Sequence, residues 1–239
     1  MKHEIIGDDM QAVRFLLEDT NIVTAEAGMM TYMTKGIQME TTTNGGIWKG
    51  VKRMLTGESF FVTKFSGPGE VCFSGTYPGK ILPIKMNNET IMAQRDAYLC
   101  SSGDIDISIG FTKRLGAGFF GGEGFILQKL SGKGEAFLHA GGFIVEKELK
   151  KGEIIRIDTG CLVAFESTID YDIQFTGGVK TALFGGEGLF LATLEGPGKV
   201  WIQTLPLSRL AQKIGSKFQY KGEKRRFDSS ILGNVVNGI

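Results

Sequence analysis

FGGEGFILQKLSGKG, residues 120–134, returns nearly unchanged as FGGEGLFLATLEGPG at 184–198, and a weaker copy, TGESFFVTKFSGPG, begins at residue 56. The spacing is even: Glu58, Glu123 and Glu187 align at steps of 65 and 64 residues. Each copy carries an apolar run (Phe60 to Phe65, Phe125 to Leu130, Leu189 to Leu194) and then a G-x-G triplet. A second apolar run follows, with Val71/Phe73, Ala136/Leu138 and Val200/Ile202 in register. Short apolar runs separated by glycine turns predict a β-hairpin written three times.

The segments between these copies also resemble one another. NIVTAEAGMMTYM (21–33), TIMAQRDAYLCSS (90–102) and EIIRIDTGCLVAFES (153–167) each read as strand, turn, strand. DIDISIG at 104–110 and DYDIQF at 170–175 add strands with alternating apolar residues. The expected organisation is therefore three β units, 5–85, 86–150 and 151–206. Each is too small to cover both faces of its own sheet, so neighbouring copies are expected to pair, in pseudo-threefold packing within the chain.

The chain changes character after residue 206. LPLSRLAQKIGSKF (205–218) places Leu207, Leu210, Ala211, Ile214 and Phe218 on one helical face. Arg209, Lys213 and Lys217 lie opposite, and Lys221, Lys224, Arg225 and Arg226 follow. Between 209 and 228, seven basic residues stand against Glu223 and Asp228. An amphipathic helix and basic tail over 207–239 fits a cap on the last unit, with the lysines in water, or a segment that meets a membrane surface or a protein partner. A nucleic-acid footprint has no other support, because the net charge of the whole chain is only +1.

Composition narrows the function classes. Thirty-five glycines among 239 residues suit an all-β chain of short strands. Cys72, Cys100 and Cys161 form no C-x-x-C pair and read as reduced core residues. MKHEIIGDDM lacks the apolar region of a signal peptide, and no apolar run approaches the roughly 20 residues of a spanning helix. A cytoplasmic protein is the expectation. Two histidines, His3 at the terminus and His139 after the middle copy, are too few for a multi-histidine metal centre, so no cofactor or catalytic residue is assigned and His139 reads as structural. GAGFFGGEG lacks the Lys-Ser/Thr ending of a phosphate loop. The aligned acids Glu58, Glu123 and Glu187 are the candidate interaction residues of the copies, since equivalent positions in packed repeats bring like carboxylates to related places. As solvated turn residues they carry no such role.

The FGGEG(F/L) motifs at 120–125 and 184–189, the G-x-G triplets after them and TGCLVAFE at 159–166 carry a resemblance over residues 5 to 210. The chain resembles the family that includes the mitochondrial "altered inheritance of mitochondria" proteins and many bacterial and archaeal relatives. The resemblance implies tandem copies of a short double-stranded β-helix domain similar to the tryptophan RNA-binding attenuation protein, and a ring-like homotrimer. It brings no catalytic residue. Three functions compete: a non-enzymatic assembly or scaffold protein, at the membrane periphery through its tail; a ring that binds a small ligand or RNA between domains; and a metal-dependent double-stranded β-helix enzyme, which the histidine count disfavours. Duplication with little polar convergence favours the first.

Overall fold

The computed structural model describes residues 1–43, 61–113, 125–175 and 190–218. Among the described residues, the chain is built of antiparallel strands, with one α-helix near the C-terminal end. A four-stranded sheet runs β1 (Lys2–Ile6), β2 (Ala12–Leu17), β7 (Gly69–Ser74), β4 (Met30–Met33). A three-stranded sheet holds β12 (Ile154–Asp158), β15 (Phe190–Glu195) and β14 (Asp170–Phe175). The nine-stranded sheet joins β11 (Ile144–Leu149), β16 (Gly198–Gln203), β13 (Leu162–Glu166), β8 (Gly79–Gln94), β10 (Phe125–Gly141), β9 (Tyr98–Lys113), β3 (Ile22–Glu26), β6 (Phe61–Ser66) and β5 (Gln38–Thr43), in that order. The strands follow the period-two rule wherever one face is wet: Val13, Phe15 and Leu17 of β2 point into the core. LVAF of β13, covered on both faces, is buried throughout.

The recurrent stretches are not hairpins. β6 pairs with β3 and β5, whereas β7 pairs with β2 and β4 in another sheet. β15 and β16 part company in the same way. In the middle copy, β10 runs as one 17-residue strand between β8 and β9, with a register shift at Ser131/Lys133. In the first and third copies the G-x-G triplet is thus a corner at which the chain leaves one sheet for the next, while in the middle copy it falls at an irregularity inside one strand. Gly67 and Gly69, with φ of 95° and 145°, supply backbone angles that a side chain would oppose. Glycine and proline mark a change of direction, but which strand receives the hydrogen bonds is decided by non-local partners, which is why the triplet reads as a hairpin turn.

One pairing scheme appears at both ends of the chain. β2 and β4 flank β7 while β3 and β5 flank β6; β11 and β13 flank β16 while β12 and β14 flank β15. Between them, the long β8 and β9 flank β10 along both of its halves. A one-residue bulge recurs at Met30/Tyr32 in β4, Tyr98/Cys100 in β9 and Leu162/Ala164 in β13. Two short ladders link the groups: Thr24 opposite Ser101 and Ala25 opposite Cys100, then Met92 opposite Phe165 and Ala93 opposite Ala164.

Three apolar clusters fill the interior. One gathers Val13, Phe15, Phe65 and Phe73 around Phe137, with edge-to-face rings such as Phe15 on Phe137 at 5.1 Å. A second centres on Phe125, Leu127, Phe165 and Leu194, and a third on Tyr98, Leu130, Leu138 and Trp201. Cys72, Cys100 and Cys161 are buried. His3 is no loose terminal residue: β1 pairs with β2, and the His3 ring stands edge-on to Phe137 at 4.9 Å. The sheets lie in a unit spanning Met1–Leu207. A second unit begins at Ser208 and contains most of α1 (Leu207–Phe218), the helix expected from the apolar spacing.

Candidate functional site

The C-terminal ends of β3, β8 and β12 carry Glu26, Gln94 and Asp158, each leading into a tight turn. Gln94 Oε1 accepts the Asp96 N–H at 2.8 Å, and Asp158 Oδ1 accepts the Gly160 N–H at 2.9 Å, so both side chains cap the short 3₁₀ turns that follow. Glu26 departs from this pattern. Among the described residues its Oε2 is buried with no hydrogen-bond partner. Burial, reinforced by Asp96 and opposed by Arg95, pushes its carboxyl up to about 7.

A carboxyl whose pKa is higher folded than unfolded binds its proton in the native state, so its cost is absent below the ordinary value of 4.5 and complete above about 7. Glu26→Gln is therefore expected to stabilise the protein by on the order of 1–3 kcal/mol at pH 8, with no gain at pH 4. Urea denaturation across that range checks it; a pH-independent difference would contradict the assignment.

A cleft of about 610 Å³ opens where the bend of β8 meets β11, β13 and β16. Met86, Glu89, Ile91, Glu146, Glu166 and Trp201 contribute to its wall. Its acids already have partners. Glu146 accepts from Trp201 Nε1 at 2.9 Å and from Lys199 Nζ at 3.0 Å, which holds its carboxyl below the ordinary range. Glu166 Oε2 accepts the Lys199 backbone N–H at 2.9 Å. Among the described residues, no His or Cys lines the cleft. The size suits a small molecule, and the indole offers a stacking edge.

The candidate residues from the sequence fall unevenly. Glu58, Glu123, Glu187, Lys224, Arg225 and Arg226 lie outside the described residues. Arg209, Lys213 and Lys217 lie within α1. His139 is buried, edge-on to the Tyr77 ring at 4.5 Å, and burial lowers its pKa, which suits a structural role. Glu26 and the Glu146–Trp201–Lys199 contact escaped the sequence reading, because both depend on strands brought together from distant parts of the chain. Among the described residues, no group of three or more His, Cys, Asp or Glu is placed to hold a metal, and no helix is long and apolar enough to cross a membrane.

These features define an antiparallel β protein whose polar contacts chiefly tie strands together. The chain belongs to the mitochondrial biogenesis AIM24 family, whose profile matches residues 3–205. It is similar to an uncharacterised protein of Streptococcus pyogenes serotype M6, 28% identical over 204 residues and 82% of each chain. The X-ray structure of a Streptococcus pyogenes protein, a structural-genomics target, is similar at a TM-score of 0.75 and 25% identity, covering 90% of this chain and 99% of that one.

Proposed function

We propose that this chain is a non-enzymatic assembly protein: three tandem copies of a short double-stranded β-helix unit that associate into a closed homo-oligomeric ring, a trimer by preference, in the cytoplasm. In place of the boundaries 5–85, 86–150 and 151–206 expected from the sequence, the first unit is taken as β2–β7, the second as β8–β10 and the third as β11–β16, because β8 pairs with β10 along both of its halves and β11 pairs with β16. The observation that carries this reading is the way the units meet. Both links, β3 to β9 and β8 to β13, are strand pairings that use the same two edges. A module that continues its neighbour's sheet is built for polymerisation and ring closure rather than for enclosing a substrate. α1, with Arg209 and Lys213 opposite its apolar residues, is the segment that brings the ring to an anionic membrane surface.

Sedimentation equilibrium of the full chain is expected to give a single species at three times the 26.0 kDa chain mass. A chain ending at Leu207 is expected to give the same multiple and to lose binding to vesicles containing phosphatidylserine. A full chain that stays monomeric at micromolar concentration contradicts the assembly reading. The cleft beside Trp201 favours a second reading, a ring that carries a small ligand, and native mass spectrometry of freshly purified protein would reveal the added mass.

A further inference from the structure

We infer that the outer edges of β4 and β12 pair with each other between copies of this chain, with Arg156 opposite Met33 and Ile157 opposite Tyr32. This rests on the assembly reading above and specifies the contact it requires. The register comes from the two internal links. Met33, Ser101 and Phe165 occupy equivalent places, opposite Val71, Ala136 and Val200. Thr24, Met92 and Arg156 are likewise equivalent, opposite Lys64, Lys129 and Thr193. Inside the chain, Thr24 meets Ser101 and Met92 meets Phe165. The remaining members of the two sets, Arg156 and Met33, sit at opposite ends of the series. Among the described strands, β12 pairs only with β15 and β4 only with β7.

Burial marks the same vacancy at the two ends. Ser101 and Phe165 are 3% and 0% exposed, whereas Met33 is 38% exposed; Cys100 and Ala164 are fully buried, whereas Tyr32 is 40% exposed. The residues covered by a neighbouring strand in the second and third units are open in the first. Met92, on the covered β8, is buried, and its counterpart Arg156 is exposed. The other sheet ends are protected by charge, as edge strands usually are: Lys2 and Glu4 on β1, Glu146, Lys147 and Glu148 on β11, Asp170 and Asp172 on β14, Glu40 on β5. β4, with the sequence MTYM, has no charge at all. A second copy of this chain is the occupant that matches, because its β12 presents the edge that β3 and β8 present within the chain. The stem of Arg156 then covers Met33 while its guanidinium reaches water. The contact is head-to-tail, so repeating it closes a ring.

Directly opposed residues in an antiparallel pair have Cα atoms about 4.5–5.5 Å apart, within disulfide range. The full-length double variant Met33→Cys/Arg156→Cys, mildly oxidised, is expected to give an interchain ladder on a non-reducing gel. The wild type, either single variant and the out-of-register pair Met33→Cys/Ile154→Cys are expected to give none. Should the double variant fail to fold, an equimolar mixture of the two single variants is expected to yield a crosslinked dimer. The solution mass of each sample separates two failures. An intact oligomer without the crosslink overturns this pairing and leaves the assembly reading standing; a monomer overturns both. A disulfide within one chain, identified by peptide mass spectrometry, overturns the intermolecular pairing.

Discussion

Phe137→Ala is expected to destabilise the protein by about 3–5 kcal/mol. Phe137 is fully buried and lies on β10 between Pro83 of β8 and Cys100 of β9. Its ring meets Phe15 edge-to-face at 5.1 Å and His3 at 4.9 Å, so a residue of β10 fills the core beneath β1, β2 and β7. Strands on both sides fix the backbone, which leaves little freedom for the cavity to collapse. With typical domain stabilities of about 5–15 kcal/mol, such a loss removes a large share of the total and shifts the urea midpoint strongly. Phe143→Ala, at a position 63% exposed, is the control and is expected to change stability by no more than about 0.5 kcal/mol. Equal effects at the two positions would contradict the assigned core.

Gly132→Ala is expected to cost about 3 kcal/mol, against about 1 kcal/mol for Gly152→Ala. Both glycines have positive φ, 128° and 78° respectively. They differ in surroundings. A Cβ at Gly132 would run into the backbone carbonyl of Asp104 on β9, whereas a Cβ at Gly152 meets nothing within 4 Å. The first substitution adds a clash with a neighbouring strand to the conformational penalty, at the register shift in the middle of β10. Thermal and urea unfolding of the two variants compare these costs directly, and a Gly132→Ala protein as stable as Gly152→Ala would mean that this part of β10 is not held by β9.

The elements themselves were largely legible. Alternation in DIDISIG and DYDIQF, and the strand–turn–strand reading of EIIRIDTGCLVAFES, marked strands, because one covered face gives period two and two covered faces give an unbroken run such as LVAF, whereas β2 was not read from the sequence. The helix over Leu207–Phe218 was legible from its apolar spacing. Pairing was not. Nothing in GPGEVCF says that Val71 will lie opposite Phe15 rather than opposite a residue of β6, since the partner of a strand is fixed by chain segments dozens of positions away. The same reason hid Glu26, whose raised pKa comes from burial beside Asp96, and the Glu146 acceptor, whose donors arrive on β16. The open edges at Met33 and Arg156 became visible only once the register of Ser101 and Phe165 was known.

Assembly through equivalent strand edges is tested most directly by the solution mass of Met33→Lys and of Met33→Lys/Arg156→Glu beside the wild type. Met33 is substantially exposed in the single chain, so lysine there should leave the subunit folded, while in the ring it would oppose Arg156 with like charge at a covered position. The predicted result is an oligomer for the wild type, dissociation at tenfold or higher protein concentration for Met33→Lys, and restored assembly when Arg156→Glu makes the pair attractive. An oligomer indifferent to both changes would contradict the account.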